Sequence, residues 1–201
     1  MAFDSTTQEK FRNAFEQNCF KLLIDAYQLS LTEKVIQLDW NENDISQELA
    51  EKIDANPKRK KWRISVSREF HLPKNDIVKK KGFADKLPRI DFKMSQFSKK
   101  DECLYYCEAK RLKQSDSGLK RAYINEGMER FISNKYPSGC MLGYLVEGKT
   151  EKTITGINSL LEKDNRIPES LIPILHKLHS SYFESKHIRS LIIKHLIFEF
   201  T

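Results

Sequence analysis

Apolar positions along this chain recur with two different periods, and the switches between them predict its elements. Phe11, Phe15, Leu22, Leu23 and Ala26 fall at helical spacing and predict an amphipathic helix over about residues 8–30. Asn41 is a good cap, and Ile45, Leu49 and Ile53 carry an apolar stripe toward Ala55, so a second helix is expected there. Pro57 and the basic run Lys58–Lys61 read as a loop. From Trp62 to Ser67 the period becomes two, as in a strand. Residues 72–87, with Pro73, Lys79–Lys81 and Gly82, read as a further loop. Two more alternating segments follow, Pro88–Met94 and Cys103–Lys110, separated by the polar turn Ser98–Asp101. A helix is expected over Leu119–Asn134, and the unbroken apolar run Cys140–Val146 reads as a strand covered on both faces. Thr153–Lys163 and Pro173–Ser181 predict helices, and Leu191–Phe198 predicts a closing strand. Three meandering strands, a helical crossover and a fourth strand imply an α/β (α+β) fold with a mixed central sheet flanked by helices. No interior linker divides the chain, so residues 1–201 are expected to form one domain.

Charge and composition narrow the function classes modestly. The chain carries a net charge of +7 and a pI near 9.1, which suits a polyanionic partner. Its four cysteines, Cys19, Cys103, Cys107 and Cys140, lack a secreted disulfide framework and read as reduced. No signal peptide or membrane-spanning run is visible, so a cytoplasmic location without membrane association is expected.

The chemistry concentrates in the two later alternating segments. Side chains on a strand alternate between faces, so Glu108 and Lys110 project together, and Asp91 shares a face with Lys93 and Ser95. Two acids and an ammonium on neighbouring strands are costly in a half-buried sheet unless a cation sits among them. Spacing alone is weak support, because Glu147-x-Lys149 and Glu184-x-Lys186 repeat it. Context separates Glu108–Lys110 from these: it ends an apolar strand, with an acid-bearing strand upstream and a helix and buried strand downstream. Glu42 adds a third acid. With Ile45 as the zero of a helical wheel, Leu49, Ile53 and Glu42 fall at about +40°, +80° and +60°, so Glu42 points with the apolar stripe. Glu48 falls on the flank, and a first-turn acid favoured by the helix dipole is the plainer account of Glu42.

With Glu42 in Asn-Glu-Asn-Asp-Ile-Ser, Asp91 in Pro-Arg-Ile-Asp and Glu108-Ala109-Lys110, the chain resembles the PD-(D/E)xK, or restriction-endonuclease-like, nuclease superfamily. The αβββαβ order matches over about residues 40–147, with Ile90 in place of the proline before the aspartate. The segment from Tyr123 to Gly143, with Gly127, Arg130-Phe131 and Tyr136, is also similar to nuclease-like proteins of bacterial antiphage-defence loci. The resemblance implies a Mg²⁺ (or Mn²⁺) ion held by Asp91, Glu108 and the Ala109 carbonyl, with Glu42 supporting the metal or its water shell. It implies that Lys110 orients a water and stabilises the developing oxyanion. The expected activity is phosphodiester hydrolysis by an endonuclease of a defence or restriction system, with DNA favoured over RNA. A partner subunit or a homodimer would supply specificity, since the chain is nearly all core. The competing reading is a nucleic-acid-binding or scaffold subunit without chemistry; a third is an effector that cuts RNA.

Other groups compete for attention. Lys58, Arg59, Lys80, Lys93, Arg111 and Arg130 are candidate nucleic-acid contacts, with solvated charge as the plain alternative. Arg130 falls beside Tyr123 and Glu126 on the expected crossover helix, which favours an i,i+4 pair with Glu126 over a phosphate contact. Cys103 and Cys107 share a strand face near Cys140, but buried thiols acting as small hydrophobes fit better than zinc. His176 and His179 lie three apart on an expected helix, a spacing more often structural than metal-binding.

Overall fold

A computed structural model of the chain describes residues 5–71, 89–97 and 102–201. The second helix begins where its cap dictates. Asn41 accepts from the backbone N–H groups of Asn43 and Asp44, and Asp44 returns a bond to the Asn41 N–H. This reciprocal cap contributes about 1 kcal/mol and fixes Glu42 as the first helical residue. Helix α2 (Glu42–Ala55) lies beside α1 (Ser5–Glu33), and Ile45, Leu49 and Ile53 are fully buried beneath it. Each such burial is worth about 1.5–3 kcal/mol. A buried bond between Ser46 Oγ and Tyr144 Oη, 2.9 Å long, pins α2 to the middle of the sheet.

The sheet has seven strands in the order β1-β2-β3-β4-β7-β6-β5. Strands β1 (Ile64–His71), β2 (Arg89–Phe97) and β3 (Glu102–Lys113) form an antiparallel meander. Strand β4 (Gly139–Glu147) runs parallel to β3, and β7 (Ile192–Glu199) parallel to β4. The crossover between β3 and β4 is one helical stretch: α4 (Ser117–Ala122), a π-helical turn (Tyr123–Met128) and α5 (Glu129–Ile132). Helix α6 (Thr150–Lys163) follows β4; β6 (Tyr182–Lys186) extends the sheet antiparallel to β7, and β5 (Ile172–Pro173) antiparallel to β6.

Alternation on β3 and β4 sorts the core into two layers. Cys103, Tyr105, Cys107 and Ala109 pack with Cys140, Leu142 and Tyr144 under α1 and α2. Tyr106 and Leu112 pack with Met141 and Leu145 under the crossover and α6. All four cysteines are buried, unbridged and in the first layer, as expected of small hydrophobic side chains. Gly139 is obligatory at the start of β4: its φ is +152°, and a Cβ there would lie 1.8 Å from the Tyr106 carbonyl oxygen.

Two expectations are corrected. The basic run is a short helix, α3 (Pro57–Lys61), with Asn56 capping Lys58 N and proline in its first turn. Residues Pro173–Ser181 are not helical. Pro173 pairs with Phe183, Ile174 N donates to the Tyr182 carbonyl, and His179 Nε2 bonds the Ile197 carbonyl, which holds this segment against the sheet as the β5–β6 loop, with a turn at 177–178. The region after residue 150 therefore holds one α-helix and three strands rather than several helices and one strand.

Candidate active site

Strands β2 and β3 part company at Asp91. Their pairing runs from Phe97 opposite Glu102 to Phe92 opposite Cys107 and stops there. The β1–β2 pairing passes from Arg68–Phe92 to Phe70–Ile90 and skips Glu69 and Asp91. Glu69 has a φ of +47°, a left-handed conformation that bulky residues seldom adopt. Ile90 correspondingly leaves the layer occupied by Phe92 and Met94 and joins the crossover layer. The kink leaves the β2-side edge of β3 unpaired at Ala109 and Arg111, while β4 continues on the other side, and two acids cover that edge. Ala109 N donates to Asp91 Oδ2 at 2.7 Å, and Arg111 N donates to Glu42 Oε2 at 2.9 Å. The Ala109 carbonyl leaves the strand on the same edge as its N–H.

Charged side chains close over this edge. Lys110 Nζ stands 3.1 Å from Glu42 Oε1 and 3.4 Å from Glu108 Oε1. Arg130 Nε lies 3.0 Å from the same Glu108 oxygen, and Tyr136 Oη lies 3.3 Å from Glu108 Oε2. Glycine at 127 admits this crowding: a Cβ there would meet Met141 Cε at 2.3 Å and the Lys110 stem at 3.3 Å. Three acids are thus crowded together with Lys110 and Arg130, and Arg68 also acts on Asp91.

Burial of this crowded set shows in proton affinity. Burial, reinforced by Asp91, pushes the Glu108 carboxyl up to about 8 despite Arg130 and Lys110. Burial also raises Asp91, against the Ala109 N–H, Lys110, Arg130 and Arg68. Glu42 is raised by burial, offset by Lys110 and reinforced by Asp91. Burial works to lower Lys110, but Glu42 and Glu108 outweigh it and hold the ammonium protonated.

The four residues singled out as catalytic, Glu42, Asp91, Glu108 and Lys110, are therefore brought together. Of the described candidate nucleic-acid contacts, Lys58 and Arg59 lie away from them. Lys58 pairs with Asp25 at 2.8 Å, and Arg59 with Asp54 at 3.2 Å. Both belong to α3, beside the Ile64 end of β1, which pairs with Gln96. That end lies five β2 positions, roughly 17 Å, from Asp91. Lys93 sits over the Phe70 ring at 4.2 Å, two residues from Asp91. Arg111 bonds the Leu38 carbonyl through one terminal nitrogen at 3.0 Å, and its buried Nε has no partner. Lys80, with Lys79, Lys81 and the pair Lys99–Lys100, lies outside the described residues. Arg130 pairs with Glu108 rather than Glu126, which is exposed. Sequence reasoning gave no role to the Tyr136 hydroxyl or to Arg68, which bonds Gln47 at 2.9 Å while its buried Nε and second terminal nitrogen are unpartnered. Nothing in spacing or periodicity marks either residue.

Among the described residues, no three His, Cys, Asp or Glu side chains gather into a ready-made metal cage; Lys110 bridges Glu42 and Glu108 instead. The donor set still suits a hard divalent cation. Its atoms are carboxylate and carbonyl oxygens, and a doubly charged ion would offset the mutual repulsion of Asp91 and Glu108. Asp91, Glu108 and the Ala109 carbonyl are the groups that would hold it.

A second polar cluster crosses the β6–β7 side of the sheet. Tyr123 Oη meets His195 Nδ1 at 2.8 Å, and Ser185 Oγ meets His195 Nε2 at 2.8 Å and His187 Nε2 at 2.7 Å. His187 Nδ1 reaches Glu169 at 2.8 Å, and Arg166 clamps the same carboxylate. The order serine, histidine, glutamate imitates a nucleophile triad, but Ser185 is fully buried and engaged by both imidazoles. This cluster serves as a structural pin.

Comparison with protein-family models, curated proteins and solved structures returned no match.

Proposed function

We propose that this chain is a divalent-metal-dependent phosphodiester hydrolase with a restriction-endonuclease-like core, acting on nucleic acid with DNA as the favoured substrate. The observation that carries the reading is the convergence of Glu42, Asp91, Glu108 and Lys110 where β2 and β3 diverge. The order of α2, three antiparallel strands, a helical crossover and a parallel β4 is compatible with an αβββαβ core. The open end of a strand pair also suits a polymer, which must enter and leave sideways.

A bound Mg²⁺ or Mn²⁺ would activate a water and neutralise charge on the scissile phosphate. Asp91 and Glu108 present the oxygens that orient such an ion, with the Ala109 carbonyl beside them. Lys110, kept cationic by Glu42 and Glu108, is placed to stabilise negative charge developing on a phosphate oxygen. Glu42 aims the Lys110 ammonium and anchors α2 to the Arg111 N–H, so it supports the site from the opposite layer. A role in bacterial defence, a cytoplasmic location and a partner subunit or second copy that supplies target choice belong to the same proposal.

One observation favours the rival reading of a scaffold without chemistry: every acid at the site already has a partner within the chain. Plasmid cleavage in Mg²⁺ by the wild type, Asp91→Ala and Lys110→Ala separates the two. Hydrolysis by wild type alone supports catalysis; equal behaviour of all three proteins, with DNA and with RNA, supports the scaffold.

A further inference from the structure

Where the backbone pairing of β2 and β3 ends, side chains from the crossover take its place. Arg130 donates through one terminal nitrogen to the Arg89 carbonyl at 2.6 Å, and Tyr136 Oη donates to the same oxygen at 2.9 Å. Arg89 lies two residues before Asp91, on the part of β2 that no longer touches β3. The same two side chains grip Glu108 on β3, Arg130 through Nε at 3.0 Å and Tyr136 through its hydroxyl at 3.3 Å. They also bond each other at 2.7 Å. One pair of residues therefore ties the strand that carries Asp91 to the strand that carries Glu108.

The tie is rigid. Tyr136 is 1% exposed, stacked on Tyr106 at 5.8 Å and edge-on to Phe131 at 5.3 Å. Arg130 is held by the Glu108 carboxylate, the Arg89 carbonyl and the Tyr136 hydroxyl together. Its planar fork reaches a carbonyl and a carboxylate at once, which a lysine ammonium cannot do with the same geometry.

We propose that Arg130 and Tyr136 are positioning residues that act through Glu108 and the Arg89 carbonyl to set the separation of Asp91 and Glu108 for a divalent cation. This assigns Arg130 to the support of the metal ligands rather than to the nucleic acid. It rests on the metal-dependent reading above.

The test is Mn²⁺ affinity measured by electron paramagnetic resonance on the full chain, without substrate. Asp91→Asn reports whether binding occurs at this site. Outer partners of ligating groups typically change metal affinity by 10–100-fold, so Arg130→Gln is expected to bind Mn²⁺ at least about tenfold more weakly. Tyr136→Phe keeps the ring and its packing, and is expected to bind several-fold more weakly. Arg130→Lys restores the charge but not the fork, and is expected to remain weak. Thermal unfolding of each variant identifies any that fail to fold, in which case Tyr136→Phe carries the test. Wild-type affinity in Arg130→Gln and Tyr136→Phe, with binding lost in Asp91→Asn, overturns the proposal and leaves the metal site standing. Tighter binding in Arg130→Gln also overturns it, by marking the guanidinium as a competitor for Glu108. If wild type and Asp91→Asn bind Mn²⁺ equally poorly, the metal-dependent reading itself falls, and this proposal with it.

Discussion

The two polar clusters of this molecule solve the same problem in opposite ways. On the β6–β7 side, Tyr123, His195, Ser185, His187 and Glu169 form a chain in which each donor meets an acceptor, and His195 stays neutral. At the β2–β3 divergence, Asp91 repels both Glu42 and Glu108, and Lys110, Arg130 and Arg68 oppose that repulsion. A cluster that only holds a fold together has no reason to crowd buried like charges, whereas a site that receives a cation does. The contrast argues for function at the β2–β3 divergence more strongly than the short motif does.

The largest effect that can break the contrast is on hydrolysis. Asp91→Asn keeps an acceptor for the Ala109 N–H but removes one negative charge beside Glu108. Metal-dependent phosphodiester cleavage should fall by about 10²–10³-fold, while the melting temperature holds or rises. A fall in both would place Asp91 with the structural groups.

The structural cluster should respond the other way. His195→Ala orphans the Tyr123 hydroxyl and leaves a cavity, and should cost about 3 kcal/mol in urea unfolding without changing Mn²⁺ affinity. Acid sharpens the comparison. Burial, reinforced by His187, holds His195 down at about 3, so the unfolded chain takes up its proton first as pH falls through about 6.5. The stability from this group is therefore present above that value and lost below it, by roughly 2.7 kcal/mol at pH 4.5. Urea unfolding of wild type and His195→Gln at pH 7 and 4.5 checks this; the variant should lose less. The smallest effect belongs to Gly127→Ala. Its Cβ meets the flexible end of Met141, so stability should drop by only about 1 kcal/mol. Cleavage should fall several-fold through displacement of the Lys110 stem, read as the initial rate on plasmid.

How much of this was legible depends on how local each signal is. Asn41 with Asp44, and the stripe Ile45, Leu49 and Ile53, announce α2 because cap and period lie within a few residues. The alternation around Asp91 and Glu108–Lys110 announces two strands and puts Glu108 and Lys110 on one face. The wheel that pointed Glu42 inward is borne out by its bond to the Arg111 N–H. Arg130 pairs with Glu108 on a strand distant in sequence rather than with its helical neighbour Glu126, and no local pattern gives that choice. Pro173–Ser181 reads as a helix, which hides the two-residue strand β5, and the short β6 after it has no reading from pattern. The contact from Tyr136 to Glu108 spans 28 residues, and no pattern within either segment anticipates it.

The acids that cover the margin of β3 have a consequence beyond any reaction. Ala109 and Arg111 would otherwise show bare amide hydrogens on an open border, the kind of border that recruits a foreign β-segment. Asp91 and Glu42 work there as guards against self-association. A chain stripped of both should clump before it unfolds, whatever becomes of its chemistry.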